Sequence, residues 1–509
     1  MVDTQSAVAL ATIGVYIVIV LALGYQGWRV GKVSVEDWMT ASRGLGIVVL
    51  LFTYAATYHS AFAFLGASGF MYENGIGLLL AATGFLVMSG LIFWVLGSRI
   101  WLLGKKHGYI TPADLLRDFY NSRILGLFAS LVLILFTFPY VALQLMGGGI
   151  IFETATGGLV SFEVGAAVLL AVGVIYVWLG GMRSIAWTDT VQGVFMILAV
   201  WIAAAFFLAS TYHGPAEFLT ELTLSFEEHV TLPGPEGTMQ PVWYTSYALM
   251  IGLGMMMSPH IFLRYFSAKS PTTIKSVAVG GTAYLIGFYI ILPIFAFAAV
   301  THFPDLADPD SAVPAVLYEF TPVWFASIVV AGALAAAMST KDAQMHAVSV
   351  LITRDWYEEF TDDVDSRTET RLAQVLIPIL GVISYVFAIQ DFGLLAIVLS
   401  MALDGTAQLM PLVVGALFWS RATTEGAFAG IVSGVTVTAV LYLGVVSVPA
   451  ILPEAVPGFY GLILNVTLFV GVSLLTDPVP TANRDRVQGY IAYARERGWQ
   501  TDANVPADD

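Results

Sequence analysis

Continuous apolar stretches of about 20 residues, separated by short polar gaps, fill the chain from Ala7 to Thr476. A helix of that length crosses the roughly 30 Å hydrocarbon core of a bilayer, and in lipid only helices or closed barrels satisfy their own backbone. The stretches are unbroken rather than alternating, which predicts helices. Thirteen are expected, beginning near Ala7, Leu45, Gly75, Arg123, Leu159, Ala186, Val242, Thr272, Pro322, Arg371, Phe392, Glu425 and Gly458. The fold class is thus an all-α membrane protein, with residues 1–476 as one polytopic domain and 477–509 as a short polar tail.

The polar gaps are not equivalent. Of the 21 Lys and Arg residues, 20 are assigned to every second gap, among them Arg29, Lys32, Arg43, Arg183, Arg264, Lys269 and Lys275; Lys341 stands inside a stretch. The positive-inside rule makes those gaps cytoplasmic, with the N-terminus outside, the C-terminus inside and the chain in the plasma membrane. An odd number of spans agrees. The gap from Thr211 to Pro241 carries Pro, Gly and Glu but no Lys or Arg, and is expected to form an outer cap.

Composition narrows the class without adding chemistry. Only 11% of residues are charged and mean hydropathy is +0.81, against about 25% charged in ordinary soluble domains. The net charge of −15 lies mostly in loops and tails, including Asp305 to Asp310, Glu358 to Asp365 and Asp508 to Asp509, and reads as a solvated acidic surface. Absence of cysteine excludes disulfides and thiolate chemistry. The first stretch is too long, and lacks preceding bases, for a cleaved signal peptide. No HExxH or GxSxG motif is present, so an enzyme is not expected. Nothing points to nucleic acid or to an organic cofactor.

Polar residues inside spans are costly in lipid and mark candidate sites. They are Tyr58 and His59 in the second stretch, Asp189 at the start of the sixth, His260 near the end of the seventh, Lys341, Asp342 and His346 in the ninth, and Asp404 in the eleventh. The second stretch crowds small and hydroxyl residues from Thr53 to Gly69, a composition that permits either local unwinding or close helix packing. In the ninth, Ser339 and Thr340 share a face with the carbonyl of Ala336. Two hydroxyls with carbonyls from a broken helix would make an oxygen cage for sodium; they would equally serve as interhelical glue.

Four motifs resemble the sodium:solute symporter family: Gly180-Gly-Met-Arg-Ser-Ile-Ala-Trp187-Thr188-Asp189-Thr-Val-Gln192; Pro259-His260 followed by Arg264; Ala336-Ala-Met-Ser339-Thr340 followed by Arg354-Asp355; and Gln408-Leu-Met-Pro411 followed by Phe418-Trp419. The resemblance implies the leucine-transporter fold, with spans 2–6 and 7–11 as inverted five-helix repeats. It also implies a sodium site from the carbonyls of Ala56, His59 and Ala336 and the hydroxyls of Ser339 and Thr340, with Asp189 near the sodium exit path. An alternative role for Asp189 is to anchor its helix start near Arg183. Tyr58 stands where the proline-transporting branch has an acid, and Ile251 and Met255 where that branch has aromatics. The pattern Thr57-Tyr-His-Ser60 through Phe64-Leu-Gly66, with Pro139, Tyr140 and Gln144, is similar to branches carrying small monocarboxylates or pantothenate. Tyr58, Tyr140, Gln144, Met255, Asp404 and Gln408 are therefore candidates for binding or gating the solute.

The expected function is sodium-coupled import of a small organic solute, a monocarboxylate-type anion, by alternating access. A proton-coupled carrier, another substrate such as pantothenate or an amino acid, and a channel or sensor are the alternatives. Lys341 either snorkels into a wet cytoplasmic vestibule or modifies coupling at the neighbouring cation site. Asp404 is either a buried carboxyl paired to an amide or a wall of the substrate cavity or outer gate, with Gln408 one turn along the same face.

Overall fold

The computed structural model describes residues 3–31, 34–361, 365–390, 393–497 and 499. Lys32, residues 362–364 of the acidic run, Phe392, and Asp508 and Asp509 lie outside them. Among the described residues there is no β-strand beyond one isolated bridge. Thirteen helical spans follow in order: α1 Thr4–Val30, α2 Ile47–Tyr58 with Phe62–Asn74, α3 Gly77–His107, α4 Arg123–Ala155, α5 (162–180) and α6 (182–211), α7 Pro241–Met257 with Pro259–Ser267, α8 Pro271–His302, α9 Val323–Leu351, α10 Ser366–Ala388, α11 Leu395–Phe418, α12 Thr424–Tyr442 and α13 Pro457–Leu475. Large apolar side chains such as Ile19, Leu91, Trp94, Leu198 and Trp201 face outward, where lipid replaces water as the surrounding solvent.

Residues 162–211 form one hydrogen-bonded run of 50 residues, about 75 Å at 1.5 Å per residue and too long for one crossing. It divides at Gly181, whose φ of 51° and ψ of −138° are non-helical. A Cβ there would lie 2.5 Å from the carbonyl oxygen of Trp38, so both the dihedral and the close approach require glycine. The sixth span therefore starts earlier than the expected Ala186, and Asp189 lies about two turns inside it rather than at its start.

Two spans are broken, and they stand five apart in the chain. The halves of α2 meet at 63° and those of α7 at 51°. In α7 the cause is Pro259, which disfavours helical dihedrals in the residue before it; Ser258 has ψ 134°. In α2 no proline is present. His59 turns extended at ψ 127°, and a π-helical turn follows from Phe62 to Gly66.

The broken spans run antiparallel and are clasped at both ends. At the end carrying most of the bases, the Leu45 amide donates to the Ser267 carbonyl and the Lys269 amide to the Leu45 carbonyl, both at 3.0 Å. At the other end the Phe70 ring lies on Trp243, with centroids 5.7 Å apart and planes 11° apart. The expected outer cap, Thr211 to Pro241, contains a helix at Pro215–Ser225 and a turn at Glu227–Val230. Its His229 carbonyl accepts the amide of Ile76 at the start of α3.

Candidate functional site

The unwound residues of α2 lie against the middle of α9. Ser339 Oγ is 2.8 Å from the Ala56 carbonyl oxygen and 3.1 Å from that of Ala336. Thr340 Oγ1 is 3.1 Å from the Thr57 carbonyl oxygen and also bonds that of His59. The two hydroxyls and the carbonyls of Ala56, His59 and Ala336 are thus brought together, and Thr57 contributes a carbonyl that the sequence reading did not include. A helix that ends at Tyr58 exposes its last carbonyls, which explains why Ala56, Thr57 and His59 are all free to face α9. All of these residues are fully buried.

The donor set consists of neutral oxygens. Among the described residues no group of three or more His, Cys, Asp or Glu gathers elsewhere as a metal site. Oxygen ligands without a carboxylate suit a hard cation of low charge. The hydroxyl hydrogens that now bridge carbonyls are the groups such an ion would displace, leaving hydroxyl lone pairs to face it.

Towards the base-rich end stands a second buried cluster. Asp189 Oδ2 accepts from Thr53 Oγ1 at 2.5 Å, Thr57 Oγ1 at 3.1 Å and Arg264 Nη2 at 3.4 Å. Arg264 Nη1 also donates to the His260 carbonyl at 2.6 Å, and Nη2 to Thr57 Oγ1 at 2.6 Å. The guanidinium joins both broken helices and α6 beneath the oxygen cage. Arg264 is fully buried, so its assignment to a basic loop is corrected. A buried arginine is stable only when paired and hydrogen-bonded, and Asp189 supplies the charge. The anchoring role near Arg183 is corrected too, because Arg183 bonds Asp37 at 2.6–2.9 Å.

Lys341 does not snorkel. It is fully buried, with Nζ 2.5 Å from Asp342 Oδ1, so the expectation of a wetted vestibule residue is corrected. Tyr176 of α5 donates to the other oxygen of Asp342. An internal counter-charge removes the need for the ammonium to reach water. His346 lies one turn on, with Nε2 3.0 Å from the Trp38 carbonyl oxygen.

Around the breaks, the candidates separate into two groups. Gln144 Oε1 accepts the Ala61 amide at 2.8 Å, satisfying a donor exposed by the unwinding. Tyr140 OH meets Met255 Sδ at 3.7 Å, a weak acceptor, and its ring stands edge-on to His260 at 5.5 Å. Tyr58 OH is 3.0 Å from Ser89 Oγ. Both ring nitrogens of His260 and of His59 are buried without a hydrogen-bond partner; the His260 ring faces Tyr140, whereas the His59 ring packs on Phe288 with centroids 4.0 Å apart.

Asp404 and Gln408 face elsewhere. Asp404 Oδ2 accepts the Gly458 amide at 2.7 Å and Tyr442 OH at 2.8 Å. Gln408 Nε2 donates to the Gly458 carbonyl at 3.0 Å, and the Asn465 side-chain amide donates to the Gln408 carbonyl at 2.8 Å. These partners belong to α12 and α13, so the two residues tie α11 to the peripheral spans. Their hydrogen bonds thus lead to α12 and α13 rather than to the breaks in α2 and α7, and the start of α13 offers a backbone donor to the carboxylate at a helix N-terminus.

The family model of the sodium:solute symporter family matches residues 38–434. The chain is 28% identical over 477 residues to an uncharacterized symporter, YhjB, of Bacillus subtilis, covering 91% of this chain and 96% of that protein. It is 28% identical over 436 residues to the sodium/pantothenate symporter of Escherichia coli, covering 84% and 89%, and 26% identical over 474 residues to the sodium/proline symporter of that organism, covering 89% and 92%. Among solved structures, a Na+-coupled sialic acid symporter in a substrate-bound outward-open state superposes with a TM-score of 0.79, at 16% identity and 93% and 98% coverage. Mhp1, a nucleobase-cation-symport-1 family transporter in a closed conformation, gives 0.58 at 15% identity, with 90% and 99% coverage. These likenesses establish the leucine-transporter fold, with α2–α6 and α7–α11 as its repeats.

Proposed function

Because the chain belongs to the sodium:solute symporter family, whose members are secondary transporters, we propose that it uses a sodium gradient to import a small organic monocarboxylate. Pantothenate, itself a monocarboxylate and the solute named for a relative at 28% identity, is the first compound to test. The observation that carries the reading is the convergence of the Ser339 and Thr340 hydroxyls on carbonyls released by the break in α2. Sodium is the coupling ion and is itself transported.

In this reading the base-rich end of the bundle faces the cytoplasm and the Phe70 and Trp243 stack faces outward. Sodium held between α2 and α9 fixes the unwound turn, and so orders the side of the solute pocket formed by residues 58–61. The two ligands then bind with a favourable coupling free energy, and each raises the affinity for the other. Tyr140 OH and a ring nitrogen of His260 are the donors offered to the solute carboxylate. Thr57 links the steps: its carbonyl faces the cage, while its hydroxyl belongs to the Asp189 and Arg264 cluster that closes the inner path. Release inward requires that cluster to open, with Asp189 as the acceptor along the exit.

The test is uptake by proteoliposomes of labelled pantothenate, acetate, lactate, pyruvate, propionate and proline, with and without an inward sodium gradient. Accumulation of a monocarboxylate only when sodium is present, shifted to higher sodium concentration in Ser339→Ala and Thr340→Ala, is the expected result. Proline as the sole solute would overturn the substrate class. Sodium dependence unchanged in both variants would overturn the cage.

A further inference from the structure

One buried ion pair takes no part in the cycle just described. Lys341 and Asp342 follow Thr340 in α9, one and two residues beyond the cage, and both side chains are shielded from solvent. The ammonium meets Asp342 Oδ1, and the Tyr176 hydroxyl meets Oδ2. They fit against α5 because residue 173 is glycine: a Cβ there would lie 2.0 Å from Lys341 Nζ and 2.0 Å from Asp342 Oδ1. The pair is therefore built into a space left for it.

Four charged groups surround the cage in this region, and they cancel: Lys341 with Asp342, and Arg264 with Asp189. A carboxyl buried in a membrane protein stays ionised only beside a neutralising cation and otherwise takes up a proton, because its desolvation exceeds what hydrogen bonds return. Asp342 Oδ1, which holds the ammonium, is a hard carboxylate donor of the type that holds alkali cations, while Oδ2 accepts from the Tyr176 hydroxyl. An ammonium fills that position.

Building on the sodium reading of the Ser339 and Thr340 cage, we propose that Lys341 is a resident counter-cation that limits the carrier to one sodium ion per cycle. It occupies the place beside Asp342 Oδ1 that a second sodium would take. Stoichiometry is then encoded by a side chain that contacts neither solute nor coupling ion. Truncating the ammonium frees both the volume and the charge of a second cation site; removing the carboxylate as well abolishes the demand.

Equilibrium binding of radioactive sodium to the purified full-length protein, counted per polypeptide at mildly alkaline pH, tests this without knowledge of the solute. The expected counts are one for the wild type, two for Lys341→Gln and one for the double variant Lys341→Gln/Asp342→Asn. A count of one in folded Lys341→Gln, or of two in the wild type, overturns the role of Lys341 while leaving the symporter reading intact. A count of zero in the wild type overturns the sodium reading itself, and this inference with it. Should Lys341→Gln fail to fold, Asp342→Asn leaves an unpaired ammonium beside the cage. Repulsion at an effective dielectric constant of about 20 then weakens sodium binding on the order of tenfold or more, and the double variant restores it. Equal sodium affinity in Asp342→Asn and wild type overturns the proposal.

Discussion

Arg264 shows how much a single residue's meaning depends on depth. Read along the chain it is one more base after an apolar stretch; in the bundle it is sealed between the broken helices and bonded to Asp189, Thr57 and the His260 carbonyl. Replacing it with methionine leaves the Asp189 charge buried and alone, a loss of about 3–5 kcal/mol. Thermal melting of Arg264→Met should therefore drop clearly, and Arg264→Met/Asp189→Asn should recover most of the loss. Additive losses in the double variant would show that the two do not act as a pair. At the cage, Thr340→Ala removes one neutral oxygen, about 1–3 kcal/mol of interaction. The sodium concentration for half-maximal uptake should rise on the order of tenfold or more, with little change in melting temperature. The hydroxyl pair itself was legible in the sequence, because Ser-Thr in an apolar helix is conspicuous. The Thr57 carbonyl was not, since backbone oxygens carry no residue label.

At the scale of elements, the breaks in α2 and α7 have unlike causes and unlike legibility. Pro259 announces the break in α7. In α2 small residues permit unwinding, and Gln144 of α4 stabilises it by accepting the Ala61 amide. Gln144→Leu would leave that amide buried without an acceptor, costing about 1–3 kcal/mol, while Gln144→Glu retains an acceptor and, when protonated, adds no buried charge. Melting temperature and sodium-dependent uptake should both fall in the leucine variant and hold in the glutamate one at a pH that keeps its carboxyl neutral. The linker between α8 and α9 carries a different element-level device. Asp310 is buried against Gly69 of α2 and accepts the Leu395 amide at the start of α11 at 2.9 Å. Burial, with Asp308 and Glu73 facing it, pushes its carboxyl from the usual 3.8 up to about 7. The folded protein then binds the proton more tightly than the unfolded chain does. This stabilisation is complete below about pH 4, falls as pH rises, and is gone above about pH 7, amounting to a few kcal/mol. Asp310→Asn should flatten the fall in melting temperature between pH 4 and 7; an unchanged slope would exclude Asp310 as its source.

For the whole molecule, the balance of buried charges bears on the electrical character of the proposed transport. With Lys341 opposing Asp342 and Arg264 opposing Asp189, the proposed cycle of one sodium and one monocarboxylate would add no net charge to the loaded carrier. Uptake in proteoliposomes should then keep its rate when a potassium diffusion potential is imposed, and a rate that rises several-fold with an inside-negative potential would disprove one-to-one coupling. Bilayer thickness imposes the apolar stretches and membrane insertion the placement of bases, so the sequence alone determined the class, thirteen helices and the family motifs. The same logic reaches Ser339 and Thr340, whose polarity stands out where lipid permits little. Only the tertiary structure decided which way each polar side chain turns. Rotation about a helix axis is set by packing against helices distant in the chain, and that rotation sends Asp404 and Gln408 towards α12 and α13, closes Lys341 onto Asp342 beneath Tyr176, and draws Arg264 inward to Asp189.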